Sequence, residues 1–291
     1  MDRFEVKEFL KKAEKIPTIP GVALEIQRIV ADPRSAADDL SRIIQNDQSL
    51  TAKTMRMVNS AYYGLRQKVK SVKQAVVILG FNTVKSLAVS AALLDRFPTG
   101  GEVNGFHRGK FWEHTIGVAC ISRMLAQRLK VPKDEEEVYF ISGLLHDLGK
   151  VILDQYFPDR FREVLDMIQS NRCSFFEAER TLGGVNHAEI GGILAAQWEF
   201  PPEHIAALRF HHEPEGRTEH AKIIAAVHFA DALAKTQGLG FGGDEDISGL
   251  SEKAVASLNI HDAVVERMIG GEIQAEFDKG RTFLKVLWVE P

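Results

Sequence analysis

An all-helical fold is predicted for this sequence from three observations. Apolar residues recur at steps of three and four along most of the chain, no stretch alternates with a period of two, and Gly or Pro separates the periodic stretches. The 291 residues, 45% hydrophobic and 26% charged, have an ordinary globular composition and are long enough to bury a large core. We therefore predict a helical bundle preceded by an N-terminal helical lobe, and we exclude a disordered or fibrous chain.

The first hundred residues are predicted to form short helices with short connections. Pro17 and Pro20 end the first helix, Ser35 is suited to cap the third, and Gly80 separates the last two. Four glycines within residues 98–109 mark the first shift in composition. We predict an N-terminal lobe over residues 1–97, with helices at residues 4–15, 22–31, 38–44, 49–59, 72–79 and 84–94.

Longer amphipathic helices follow from residue 110. Helical periodicity at residues 110–130, 135–155, 161–169, 187–198 and 219–235 predicts a second lobe over residues 110–235. A glycine-rich segment at residues 238–243 then leads to helical stretches near residues 251–258, 262–268 and 273–277. Residues 236–291 are predicted to be a linker followed by C-terminal helices.

Charge and composition limit the partners and the compartment. The 36 basic and 40 acidic residues give a net charge of −4 without a dense basic run, which disfavours nucleic acid as a partner. No stretch has the length of a membrane span or the composition of a secretory signal, so we expect a cytoplasmic protein without membrane association. Cys120 and Cys173 lack zinc-type spacing, which suits a reducing compartment and argues against a disulfide framework.

Two titratable residues interrupt the apolar faces of their predicted helices. His114 lies three residues after Phe111 and four before Val118, and Asp231 lies four after Val227. Both side chains are therefore expected to point inward. A buried carboxylate is costly unless it is paired or binds a metal ion.

Three further segments add residues of the same kind. An adjacent His-Asp pair lies inside the apolar stretch 143–150, where neighbouring side chains of a helix diverge by about 100°. One histidine opens the helix after residue 186, and a His-His pair precedes Pro214. The ligand number suits a site for two metal ions, whose ligands would be His114, His146, Asp147, His187, His211, His212 and Asp231.

Each of these residues also has a simpler interpretation. A single histidine is more often a hydrogen-bonded core or surface residue than a ligand, so the metal site depends on the whole ordered set. His228 is either a hydrogen-bonding partner of the site or an imidazole packed against a neighbouring helix. Glu179 and Glu189 are both candidates for orienting a ligating imidazole, although for Glu189 a first-turn carboxylate favoured by the helix dipole is the preferred explanation. We expect solvated side chains at His107, His204, His220 and His261.

The N-terminal half contains four short motifs: IPTIP at residues 16–20, IQNDQSLT at 44–51, VNSAYYG at 58–64 and AVVILG at 75–80. Together they resemble the signature of HDOD domains, the HD-related output domains of bacterial signalling proteins. The ordered histidines and aspartates are similar to the HD superfamily of metal-dependent phosphohydrolases, and the set of seven looks like its HD-GYP branch of cyclic di-GMP phosphodiesterases. The resemblance extends from about residue 16 to about residue 235. Within the third motif, a turn between helices is favoured over a partner surface for Asn59, Ser60, Tyr62 and Tyr63.

The resemblance implies an HD-domain-like helical bundle and a regulatory function. It implies two divalent ions, with iron or manganese ahead of magnesium, nickel or zinc, and a partner that is either a signalling protein or a nucleotide or phosphoester ligand. A homo-oligomer stays open. Lys150 matches a lysine that contacts the scissile phosphate in catalytic relatives, so the resemblance assigns Lys150 and Asp147 as catalytic if the chain is an enzyme.

Two departures from the HD-GYP pattern weigh against cyclic di-GMP hydrolysis. The Gly-Tyr-Pro loop is missing after Glu213, and Lys110 stands where some relatives place an extra carboxylate ligand. We therefore place a regulatory HDOD module first and an active phosphohydrolase or phosphodiesterase second. A di-iron oxygenase, an activity found in some HD relatives, is third.

Overall fold

The computed structural model describes residues 21–31, 37–94, 96–97, 100–133 and 135–288. The helix predicted at residues 4–15, the IPTIP motif and Ser35 lie outside this part of the chain. Within it the protein is helical, as predicted, apart from one small hairpin.

Five short helices form the N-terminal half. Asp47 caps the third by accepting a hydrogen bond from Leu50 N at 2.9 Å. The Asn59 side chain donates to Val69 O at 2.9 Å and accepts from Val69 N at 2.8 Å, which closes the turn between the third and fourth helices. The helices are α1 (Gly21–Ala31), α2 (Ala37–Gln45), α3 (Gln48–Val58), α4 (Val72–Leu79) and α5 (Phe81–Leu94).

An antiparallel hairpin precedes the longest helix. Strands β1 (Glu102–Val103) and β2 (Phe106–His107) are joined by Asn104 and Gly105, both of which have positive φ. The lack of a stretch that alternates with a period of two did not exclude this hairpin. Two-residue strands are too short to produce a periodic pattern in the sequence.

The central body is built from eight helices. The prediction of one helix over residues 135–155 is wrong, because the chain leaves helical geometry at Asp147 (φ −98°, ψ 15°). The helix α10 also has no counterpart in the sequence prediction. The eight are α6 (Arg108–Arg128), α7 (Glu136–Leu145), α8 (Leu148–Tyr156), α9 (Pro158–Asn171), α10 (Phe175–Leu182), α11 (His187–Gln197), α12 (Pro202–Phe210) and α13 (Ala221–Thr236).

The C-terminal segment ends in a long helix that packs on α6. Helices α14 (Glu252–Ser257) and α15 (Asp262–Arg267) lead through a π-helical turn to α16 (Ile273–Trp288), which is much longer than predicted. Glycine makes the contact close: a Cβ at Gly280 would lie 2.7 Å from Cys120 Sγ.

Buried apolar side chains from the five N-terminal helices and from the central body belong to one contiguous core. The ring of Tyr62, from the VNSAYYG motif, lies 5.4 Å from that of Phe140 in α7. The division into lobes near residues 98–109 stays a prediction. None of the helices in the described ranges combines the length and apolarity that a membrane span requires.

Candidate metal centre

The seven side chains predicted as metal ligands converge in the central body. They come from five segments: α6, the α7–α8 junction, the start of α11, the residues after α12, and α13. They form two groups, and within each group one ligand-type atom per residue lies within 4.8 Å of the others. The first group is His114, His146 and Asp231, and the second is Asp147, His187, His211 and His212.

Asp147 lies between the two groups. Its Oδ1 is 3.1 Å from His187 Nε2 and 3.6 Å from His211 Nε2, and its Oδ2 is 3.3 Å from His146 Nε2. The interruption of the helix, rather than the angular spacing along one helix, directs His146 and Asp147 to this position. One carboxylate can therefore serve both groups.

Three further contacts place other candidate ligand atoms close together. His114 Nε2 lies 3.0 Å from Asp231 Oδ1, and His146 Nε2 lies 3.8 Å from the same oxygen. His187 Nε2 and His212 Nε2 are 3.0 Å apart. Two neutral imidazole nitrogens that approach so closely must share a proton or face a common cation.

Backbone carbonyls set the orientation of two imidazoles. His146 Nδ1 lies 2.8 Å from Gly143 O, and His211 Nδ1 lies 2.8 Å from Leu208 O. A carbonyl can only accept, so each Nδ1 carries the proton and each Nε2 directs its lone pair toward the centre. This is the tautomer that a metal-binding histidine requires.

Glu179 orients a third imidazole. Its Oε2 lies 2.6 Å from His187 Nδ1, and its Oε1 accepts from His187 N at 2.8 Å. Burial would lower the pKa of His187, but the Glu179 charge raises it above its usual value. The prediction that Glu179 positions a ligand agrees with this geometry. Glu189 instead forms a capping box with Asn186.

A glycine allows the two ligand-bearing elements to meet. A Cβ at Gly149, in the first turn of α8, would overlap the carbonyl group of His187 at the start of α11. Glycine at this position thus lets the backbone that carries Asp147 approach the backbone that carries His187.

Five buried polar atoms of the centre lack a hydrogen bond of acceptable geometry within the described residues. Leaving one such atom unsatisfied costs about 1–3 kcal/mol, so five at one point indicate a missing binding partner. Imidazole nitrogens and carboxylate oxygens are suitable ligands for divalent transition metals. The residues therefore fit a two-metal centre, and the five atoms are His114 Nε2, His146 Nε2, Asp147 Oδ1, His211 Nε2 and Asp231 Oδ1.

Both carboxylates of the centre are held in the anionic form. Burial would raise the pKa of Asp147, but the adjacent His146 imidazole and the Lys150 ammonium group hold it well below its usual value. Burial acts in the same way on the pKa of Asp231, which Lys235 and His114 hold well below its usual value. Each carboxylate is thus available as a ligand.

Burial keeps three of the imidazoles neutral. It lowers the pKa of His211 to about 4, lowers that of His212 well below its usual value, and lowers that of His114 despite Asp231. Neutral imidazole is the form that binds a metal ion.

Lys150 is fixed against the centre rather than directed into open space. The side chain is 1% exposed, and Nζ lies 2.7 Å from Asp147 Oδ2 and donates to Gly242 O at 2.9 Å. Gly242 belongs to the glycine-rich segment and lies against His114, where a Cβ would come within 2.9 Å of Nε2. This segment therefore closes one side of the centre. The catalytic role of Lys150 stays a prediction.

Two charged residues near the centre escaped the sequence analysis. Lys235 Nζ lies 3.5 Å from Asp231 Oδ2 and 2.8 Å from Asp244 Oδ1, and Asp244 Oδ2 accepts from Phe175 N at 3.0 Å. The position of Lys235 four residues after Asp231 on an apolar helix was a usable signal. No pattern in the sequence links Asp244 to either residue.

Two other histidines have structural roles. His228 Nδ1 donates to His211 O at 2.6 Å and its Nε2 accepts from Ser251 N at 2.9 Å, so it supports the backbone of a candidate ligand. The expectation of a solvated His204 is wrong. That residue is buried and lies 2.8 Å from Ser142 Oγ, a neighbour that only the tertiary fold supplies.

Comparison with known proteins decides the family. Residues 16–214, more than half of the chain, match the HDOD domain family. The chain belongs to the HDOD family. An uncharacterized protein of Treponema pallidum (strain Nichols) is 26% identical over 223 residues, which are 76% of this chain and 42% of the relative. The chain thus spans about two fifths of that relative's length.

Two solved structures share the fold of this chain. An HDOD domain protein with unknown function from Geobacter sulfurreducens is 28% identical, with a TM-score of 0.73 over 98% of this chain and 100% of that one. A protein of Shewanella amazonensis SB2B, provisionally named a phosphohydrolase, is 24% identical. Its structure aligns with a TM-score of 0.74 over 96% of this chain and 97% of that one. The second likeness shows the fold alone.

Proposed function

We propose that this HDOD chain is a regulatory module of bacterial signalling whose buried centre holds two divalent metal ions. His114, His146 and Asp231 would hold one ion, and His187, His211 and His212 the other, with Asp147 shared between them. The observation that carries the proposal is the convergence of five unsatisfied ligand atoms at one buried point. When bound, the ions would supply Lewis acidity and positive charge there.

Limited access to the centre supports regulation over hydrolysis. Lys150 is engaged with Asp147 and Gly242, so its amine is not free to bind a phosphoryl oxygen without breaking both contacts. The cavity beside His212 holds about 230 Å³. Pockets for drug-sized ligands hold roughly 300–1,000 Å³, so a cyclic dinucleotide does not fit this conformation.

The chemistry of the site supports a choice of metal, and the family supports a class of partner. Mixed imidazole and carboxylate ligands suit iron or manganese, and they also accept nickel or zinc, whereas magnesium prefers oxygen alone. HDOD membership supports a signalling protein as the partner. The free thiols Cys120 and Cys173 accord with a cytoplasmic location.

A metal-dependent phosphohydrolase is the second candidate. The specific observation in its favour is that Lys150 Nζ lies 2.7 Å from Asp147, the carboxylate shared by both ligand groups. A cation beside two metal sites could stabilise charge on a phosphoryl group if the glycine-rich segment moved away.

Turnover measurements on metal-loaded protein distinguish the two candidates. The purified chain, loaded with Mn²⁺ or Fe²⁺, is incubated with common cyclic dinucleotides and with bis(p-nitrophenyl) phosphate, beside an Asp147→Ala variant prepared identically. The regulatory proposal expects no product above the variant's background. Turnover by the wild type that Asp147→Ala abolishes would replace it with the phosphohydrolase.

A further inference from the structure

A cavity connects the surface to the candidate metal centre. His212 and Asp231 lie on its wall, together with side chains from α10 and from the segment that follows α13. Asp231 is 8% exposed, and its Oδ1 lacks a hydrogen bond of acceptable geometry within the described chain. Of the seven candidate ligands, His212 is the one that is half-buried, whereas the other six are buried. An ion that follows this cavity meets His212 and Asp231 first.

An aromatic ring covers His212 at the mouth. Phe176 stacks on the imidazole, with ring centroids 4.7 Å apart and planes inclined by 23°. Phe176 is itself half-buried and lines the cavity. The contact protects His212 from solvent and narrows the opening next to it.

The rim of the cavity has an excess of acidic side chains. Glu177 and Glu213 are exposed there, and Asp246 is half-buried. Among the described residues that line the cavity, Arg180 is the one exposed cation. The other lining cation, Lys235, is already engaged with Asp231 and Asp244. The rim therefore attracts cations and repels polyanions.

We propose that this cavity is the route by which divalent cations reach the centre. Glu177 and Glu213 raise the local cation concentration, and Phe176 restricts passage past His212. The proposal rests on the proposed function, since it requires a metal-binding centre, but it concerns the rate of loading rather than the presence of the ions.

The test measures uptake of Co²⁺ by stopped-flow absorbance in metal-free protein that contains all 291 residues. The variant Glu177→Gln/Glu213→Gln removes two charges, and glutamine at 177 preserves the capping box of α10. We expect uptake to slow by about 3- to 10-fold at low ionic strength, with an unchanged dissociation rate. The difference should vanish near 1 M salt, where the screening length is about 3 Å. Glu266→Gln on α15, outside the cavity lining, is the matched control and should load like the wild type.

A second variant removes the aromatic ring of Phe176. Phe176→Ala should accelerate both uptake and release of Co²⁺ and leave the Kd nearly unchanged, and Phe176→Leu tests the same point if the alanine variant does not fold. Normal Co²⁺ binding with wild-type rates in both the rim and the ring variants would overturn this route alone. Failure of the wild type to bind Co²⁺, Mn²⁺ or Fe²⁺ at all would overturn the proposed function as well.

Discussion

Glu179 holds His187 at two points, through the backbone N–H at 2.8 Å and through the imidazole Nδ1 at 2.6 Å. The carboxylate is 2% exposed and comes from α10, a helix that carries none of the seven candidate ligands. The orientation of one candidate ligand therefore depends on the docking of a separate helix.

We predict that Glu179→Gln weakens metal binding by about 10- to 100-fold, because an amide no longer offers two anionic acceptors to His187. Competition titration with a chromogenic chelator measures the change. Glu189→Gln keeps the neighbouring capping box and should bind metal like the wild type. Equal affinity in the Glu179 and Glu189 variants would show that the carboxylate does not position the ligand.

Gly149 supports a prediction about stability. A Cβ at this position would overlap the His187 carbonyl, so Gly149→Ala should reduce the free energy of unfolding by about 3 kcal/mol. At Gly191 the nearest atom to an added Cβ is 3.7 Å away, and Gly191→Ala should be neutral or stabilise the helix by up to about 1 kcal/mol. Urea denaturation measures both variants. A wild-type midpoint for Gly149→Ala would contradict the close approach of α8 and α11.

The sequence was sufficient to place His114 and Asp231 inward, because both lie within helices whose apolar period is unbroken. It did not show the break at Asp147, since apolar residues continue at helical spacing on both sides of it and neither Gly nor Pro occurs at residues 145–148. His204 was misjudged because the two prolines and the glutamate before it indicate a loop, whereas the residue is buried and contacts Ser142 of α7. Local pattern predicts which face a residue occupies, but not which distant element covers it.

The ion pair between Lys235 and Asp244 is another tertiary contact that the local sequence pattern does not predict. Asp244 follows a glycine-rich segment that has no periodicity, so its position depends on the positive φ of Gly243 and on its contact with Phe175 N. Sequence reasoning can identify such a segment as a connection. Its path over the centre depends on tertiary contacts that no local signal encodes.

Glu137 is expected to make stability depend on pH. Burial raises the pKa of this carboxyl from 4.5 to about 7, although Arg123 Nη1 lies 3.5 Å away. Between these two pH values the folded state keeps a proton on Glu137 that the unfolded state has released. The free energy of unfolding therefore falls as the pH rises through that interval. We expect the wild type to lose up to about 3 kcal/mol relative to Glu137→Gln between pH 4.5 and pH 7.

Urea denaturation of the wild type and of Glu137→Gln over this pH range measures the difference between their free energies of unfolding. The effects of other titratable groups cancel in this difference, because both proteins contain them. Glu135→Gln, an exposed position at the start of the same helix, is the control and should follow the wild type. A constant difference between the wild type and Glu137→Gln across the range would show that folding does not raise the pKa of Glu137.

The most direct test of the central claim is the metal content per chain, measured by mass spectrometry after loading and gel filtration. The geometry predicts two ions in the wild type, about one in His114→Ala, which disrupts one ligand group, and close to none in Asp147→Ala, which removes the carboxylate shared by both groups. Fewer than about 0.2 ions per wild-type chain, or equal content in the wild type and Asp147→Ala, would contradict the two-metal centre.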